Sequence, residues 1–305
     1  VRWVVPLLFV AGCGGEAGDR GAAAALGDSG AGDTGTVIPG TVIGPENGQV
    51  TIVTTPRTVA PGEEAFLCQD FANPFGETVG VVRSHSTMTS SHHMFVFFDP
   101  IGGNGSLEDC SGLEYTKTLH ASQTSDSVTS YPPGVGVQVT LGTGLRVLAH
   151  YLNTTDEPVE AKVTVTFDFV PLDQIELHAG PLFFNNFSIS VPPNGVGQAS
   201  ETCEVPNDIQ ITEVVSHMHK QGVHFVAKTD TGQLLYEGSD WDEPTPAKFD
   251  PPLALPKGTK ITYTCDYENP TSQWLDFGES ASTNEMCILS GTYYPAILGK
   301  AFLCF

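Results

Sequence analysis

Ala161-Lys162-Val163-Thr164-Val165-Thr166-Phe167-Asp168-Phe169 alternates without a break, with Val163, Val165, Phe167 and Phe169 on one side and Lys162, Thr164, Thr166 and Asp168 on the other. Successive side chains of an extended chain point to opposite faces, so this is a β-strand with one face in a core and one toward water. Working outward, residues 135–141, 145–151, 209–216 and 260–265 are β-branched runs bounded by Gly, Pro, Asn or Asp, the signature of further short strands. Residues 223–228 and 234–237 flank Asp230-Thr231-Gly232, which reads as a hairpin. No segment of useful length has helical periodicity, and 33 glycines and 22 prolines punctuate the chain. The expected class is all-β: two consecutive, jelly-roll-like β-sandwich domains over 48–174 and 175–305, divided near 171–180.

The first residues look different. Arg2 precedes a short apolar run, Trp3-Val4-Val5-Pro6-Leu7-Leu8-Phe9-Val10, too short to span a bilayer and suited to the apolar stretch of a signal peptide. Val10-Ala11-Gly12-Cys13 resembles the lipobox of bacterial lipoproteins, which makes Cys13 the expected lipidation site. Gly14 and Gly15 follow it where an Asp would signal retention, favouring the outer membrane. Residues 14–47 carry Gly, Ala, Asp and Thr with little bulky apolar surface, so a flexible tether is expected there. The expectation is an exported bacterial lipoprotein, at the outer membrane, cell surface or periplasm, touching the membrane through its lipid only.

Thirteen Lys and Arg stand against thirty-five Asp and Glu, a net charge of -22. No basic stripe exists to neutralise phosphates, which excludes nucleic acid as a partner. Besides Cys13 there are six cysteines, Cys68, Cys110, Cys203, Cys265, Cys287 and Cys304. An even number in an exported chain implies three disulfides, with about fifteen connectivities open to sequence alone.

The chemistry-bearing residues fall in two groups: His92, His93 and His150 in the first half, His217, His219 and Met286 in the second. His217 and His219 extend the strand pattern of Ile211, Glu213 and Val215, and same-face neighbours can converge on one ion. His92 and His93 are adjacent, so both reach one ion only if the backbone is irregular where their strand begins. A thioether such as Met286 favours copper(I) over zinc or magnesium.

Four segments, Ser91-His92-His93-Met94, Leu148-Ala149-His150-Tyr151, His217-Met218-His219, and Asn284-Glu285-Met286-Cys287 followed by Tyr293-Tyr294-Pro295, together resemble the successive signatures of the copper type II, ascorbate-dependent monooxygenases. That resemblance covers about residues 60–305. It implies two copper ions per chain facing each other across an open, solvent-filled cleft. His92, His93 and His150 would hold an electron-transfer copper; His217, His219 and Met286 would hold the copper that meets dioxygen and would be the catalytic residues. It implies disulfides Cys68-Cys110, Cys203-Cys304 and Cys265-Cys287. It also implies hydroxylation of a C–H bond in a small organic substrate, using O2 and ascorbate or another reductant. The peptide-amidating branch carries an arginine and a tyrosine for a substrate carboxylate where this chain has Val215 and Ser290, so an uncharged or aromatic substrate fits better. A copper-binding or copper-handling surface lipoprotein without turnover, and an adhesion module with incidental histidines, are the alternatives.

Overall fold

The structure, a computed structural model, describes residues 40–89, 91–99, 105–110, 117–296 and 301–305. Cys13, its lipobox and most of the expected tether lie outside the described residues. The described chain is almost entirely β, as the alternation at 161–169 requires. Val163, Val165 and Phe167 are fully buried in the first core. On the outward face Thr166 bonds Thr51, and Asp168 accepts from Gln49.

Two sandwiches follow one another along the chain. In the first, one sheet runs in the order Thr41–Glu46, Gln49–Val53, Val163–Pro171, Val79–Met88, Val135–Val139 and Leu177–His178, with Asp126–Ser130 also paired to Val79–Met88. It is opposed by a sheet in the order Leu107–Asp109, Glu64–Phe71, Gly144–Leu152, Ser91–Asp99 and Thr118–Ser122. The second pairs a sheet of Ala247–Leu255, Ile209–His217, Ile288–Tyr294, Gly180–Asn185 and Phe302–Cys304 with one of Gly195–Glu204, Lys260–Asn269, Gly222–Thr229 and Leu234–Gly238.

Folded structure begins earlier than the composition suggests. Residues 41–46, expected within the tether, form a strand against Gln49–Val53. Thr41-Val42-Ile43 is β-branched, and Asn47 and Gly48 both take positive φ, 51° and 74°, the geometry of a tight hairpin turn.

The feature that positions the site is a third apolar layer. Strand Ser91–Asp99 sends Met94 and Val96 into the first core, while Phe95 and Phe97 point the other way. Those two join Cys68 and Leu148 from the first sandwich and Phe183, Met286 and Ile288 from the second in a cluster of their own. Each sandwich thus presents one sheet that is buried on both faces. This explains the near-continuous apolar run Met94-Phe95-Val96-Phe97-Phe98, which alternation alone does not account for.

Three disulfides close the structure: Cys68-Cys110, Cys203-Cys304 and Cys265-Cys287, spanning 42, 101 and 22 residues. They match the pairing implied above and belong to an oxidising, extracytoplasmic setting. Among the described residues no helix is long and apolar enough to cross a membrane. Loop-closure entropy grows with the logarithm of loop length, so replacing Cys203 and Cys304 by serine is expected to cost about 4.7 kcal/mol, more than replacing Cys265 and Cys287, at about 3.4 kcal/mol. Urea unfolding midpoints of the two double variants check the order.

Candidate metal centre between the two sheets

The N-terminal histidine set is assembled by one irregularity. His93 and His150 stand directly opposite each other on paired strands, ring centroids 4.8 Å apart. The next pair is Tyr151 with Ser91, so His92 is the extra residue of a β-bulge. A bulge rotates the strand locally and re-aims a side chain. It brings the His92 ring to 5.1 Å from His93 and 5.4 Å from His150. His150 is stacked on Phe66, centroids 3.9 Å apart.

A second bulge shapes the C-terminal set. The strand Ile209–His217 shifts register between Ile211 and Glu213. Ile211 therefore packs in the second core with Val214, while Glu213 and Val215 line the space between the sandwiches. This corrects the expected single face from Ile211 to His219: a register shift by one residue exchanges the faces. Gly291 makes the bulge possible, because a Cβ there would lie 2.3 Å from the Glu213 carbonyl oxygen. His217 ends the strand and His219 lies just beyond it.

The two sets are not separate. The His217 ring lies 5.2 Å from His92 and 5.1 Å from His93, and His219 lies 5.5 Å from His92 and 5.1 Å from His217. His92, His93 and His217 each offer a ring nitrogen within 4.8 Å of the others. None of the five histidines is more than 7% exposed. The open, solvent-filled cleft implied by the resemblance is therefore absent from this arrangement: the five imidazoles form one closed cluster. The apolar layer pulls the sheets together, and polar ties complete the closure. Glu64 accepts hydrogen bonds from His150 Nε2, Ser280 Oγ and the Ala281 N–H, each at 2.8 Å. Gln123 donates to the Ser216 carbonyl at 2.7 Å and accepts from His217 Nδ1. Trp241 covers the His92 ring, 5.5 Å away.

These partners also settle which nitrogens face the cluster. Glu64, Gln123 Oε1 and the Asn284 carbonyl can only accept, so His150 Nε2, His217 Nδ1 and His219 Nδ1 carry the protons. The opposite nitrogens, His150 Nδ1, His217 Nε2 and His219 Nε2, are left with lone pairs, the arrangement that orients metal-ligating imidazoles. Both nitrogens of His92, and Nε2 of His219, have no hydrogen-bond partner among the described residues. Burial, then neighbouring imidazoles, hold His92, His93 and His217 well below the ordinary histidine range. Burial brings His219 to about 4, and lowers His150 against the opposing pull of Glu64. Buried, neutral imidazoles whose ring nitrogens approach one another, as those of His92, His93 and His217 do, make a donor set that could hold a metal ion.

Met286 is 1% exposed and packs in the layer between the sandwiches. Its segment borders His219 through the Asn284 carbonyl, and the Met286 carbonyl accepts from Tyr267 at 2.9 Å. Glu285, next to it, is fully buried and accepts from the backbone N–H groups of His219 and Gln221 at 3.0 and 2.7 Å. Burial pushes its carboxyl up to about 7, against the pull of those N–H groups. Sequence reasoning missed Glu64 and Gln123, which no local pattern distinguishes, and passed over Glu285, which sits inside a quoted signature. His120 lies apart from the cluster, bonded through Nε2 to Ser86.

A cavity opens against His93 and His217, walled by Phe95, Phe183, Val215 and Ile288. Ser122, Gln123 and Ser290 supply its polar atoms, and no charged side chain lines it.

No protein-family profile matches the chain, and no curated protein matches it. Solved structures overlap it loosely. The major capsid protein P2 of bacteriophage PM2 is 10% identical over 78% of this chain and 97% of its own, with a TM-score of 0.32. PNGase F from Flavobacterium meningosepticum is 11% identical over 83% and 97%, at 0.31. A Sulfolobus turreted icosahedral virus protein is 7% identical over 82% and 91%, at 0.37. Overlaps this loose leave the functional question to the site itself.

Neutral buried histidines tie stability to pH. Between about 6.5 and about 4 the unfolded chain binds protons that these side chains exclude when folded, so the metal-free protein loses stability as pH falls through that window. Glu285 acts oppositely: its contribution is present below its ordinary value near 4.5 and lost as pH rises through about 7. The histidines outnumber it, so acidification from 6.5 to 4 is expected to lower the urea midpoint. Exchanging His92 and His93 for Gln should flatten that slope; an unchanged slope would contradict a neutral buried cluster.

Proposed function

We propose that this chain is an exported copper-dependent monooxygenase that hydroxylates a C–H bond of a small organic substrate without a carboxylate, using O2 and a reductant such as ascorbate. The carrying observation is the packing of five buried imidazoles from two facing sheets at the wall of an apolar cavity, with ring nitrogens of His92, His93 and His217 within 4.8 Å of one another. Copper, when bound there, supplies the one-electron chemistry and oxygen activation that hydroxylation needs. His92, His93 and His150 would hold one ion, and His217, His219 and Met286 the other. The donor chemistry fits, since imidazole serves both oxidation states of copper and the thioether favours copper(I).

The chain's own residues perform the supporting roles. Glu64, Gln123 and the Asn284 carbonyl fix the imidazole orientations. Phe95, Phe183 and Ile288 keep water from the cavity and hold an apolar substrate against His93 and His217. Val215 and Ser290 place no cation there for a carboxylate. Cys13 would carry the lipid anchor that tethers the folded part to a membrane. The closed burial of the cluster favours, as a second reading, a surface lipoprotein that holds copper without turnover.

Reconstitution is expected to give about two coppers per chain, with ascorbate-dependent O2 uptake on a panel of small C–H substrates. Met286→Ile should abolish uptake while copper remains on His92, His93 and His150. Copper without uptake on any substrate selects the holding role, and absence of copper defeats both readings. Because the two ligand sets touch, copper(II) at both is expected to show magnetic coupling by EPR; two isolated signals would require the sheets to separate on loading.

A further inference from the structure

The cavity beside the histidines does not end at Ser290. A second cavity shares Ala121, Ser122, Gln123, Phe183, Val215 and Ser290 with the first and continues away from the cluster. Glu213 is its one charged lining residue. Apart from Glu213, the deep end carries Thr129, Tyr131, Thr292 and a buried His120 that burial holds near 4, and so neutral.

Glu213 is set there by construction. The bulge that turns Ile211 into the core turns Glu213 and Val215 toward the cavity, on the same side as His217. One carboxylate oxygen accepts from Thr129 Oγ1 at 2.6 Å, and the other has no hydrogen bond among the described residues. Lys248 stands opposite Glu213 in the register, but its ammonium donates to the Val128 carbonyl and it does not line the cavity. Burial pushes the Glu213 carboxyl up, with Thr129 and Lys248 opposing. An acid left with an open oxygen at the end of an apolar chamber is satisfied by a donor brought in from outside.

We infer that the chamber takes a small molecule with an apolar body and a hydrogen-bond-donating head group, its body against Phe95, Phe183 and Val215 and its head on Glu213. Glu213 is then the residue that determines specificity. His217 and Glu213 lie four residues apart on one extended strand, roughly 13 Å at ~3.3 Å per residue, so the head is read well away from the end that faces the imidazoles. A carboxylate head is rejected, because it would meet Glu213 with no Arg or Lys among the lining residues. The inference rests on the chamber being the substrate site of the proposed function.

The test uses metal-free protein, so its outcome is independent of whether copper binds or turns over. Calorimetric titration with 4-phenyl-1-butanol, 4-phenylbutylamine, 4-phenylbutanoate and butylbenzene varies the head on a constant body. The alcohol, the amine or both are expected to bind at least tenfold tighter than the carboxylate, and which of the two is tighter identifies a neutral or a cationic head. Glu213→Leu should cost the donor-bearing probes tenfold while leaving butylbenzene within twofold, which shows the chamber intact. Val215→Arg should raise affinity for 4-phenylbutanoate. Equal or preferred binding of the carboxylate by the unmodified protein, or donor affinities unchanged in Glu213→Leu, would overturn the inference. Loss of all binding in Glu213→Leu transfers the decision to Glu213→Gln, where donor affinity must fall while butylbenzene still binds.

Discussion

Everything at the centre of this protein depends on two β-sheets that are buried on both faces. Each is one wall of its own sandwich and also half of a third apolar layer, in which Phe95, Phe97 and Leu148 meet Phe183, Met286 and Ile288. Removing that surface from water is favourable and has no directional preference. Direction comes from the polar rim. There Glu64, Gln123 and Glu213 each bond across the junction, so the sheets close in one register. His93 and His150 occupy the same faces as Phe95 and Leu148, two residues along, and the closure that buries the aromatics brings His93 and His92 into contact with His217.

Two bulges do what regular strands cannot. Adjacent residues such as His92 and His93 belong on opposite faces of a strand, and one extra residue brings both to the junction. In the other sheet a bulge at Thr212 and Glu213 reassigns the faces, putting Ile211 in the core and the row Glu213, Val215, His217 on the cavity side. The result is a chamber with imidazoles at one end, an acid at the other and aromatic walls between. Its chemistry is ordered along a single strand. Small changes at positions 213, 215 or 290 therefore alter what is admitted without touching the donors.

The second layer of residues explains why a cluster of five histidines is tolerated in a closed site. Protonated imidazoles this close would repel, and burial already disfavours the charged form. Acceptors placed on the outer nitrogens of His150, His217 and His219 select the neutral tautomers with inward lone pairs. The arrangement holds the rings neutral.

Much of this was legible in the residues. The alternation at 161–169, the hairpin at Asp230-Thr231-Gly232 and the even cysteine count led directly to an all-β, disulfide-closed architecture, because strand periodicity and turn chemistry are local properties. The histidines of the cluster could be named, and the need for irregular backbone at His92 followed from pleat geometry. The strand at Thr41–Glu46 was hidden by the composition of the segment before it. What the chain could not disclose locally was which sheet faces which. Glu64 lies 216 residues from Ser280, and Gln123 lies 94 from His217, so neither carries a local signal of its role. The sequence by itself determined the strands and the inventory of histidines; only tertiary packing decided that two sets of histidines become one buried cluster, because contact between faces is set by long-range apolar burial rather than by spacing along the chain.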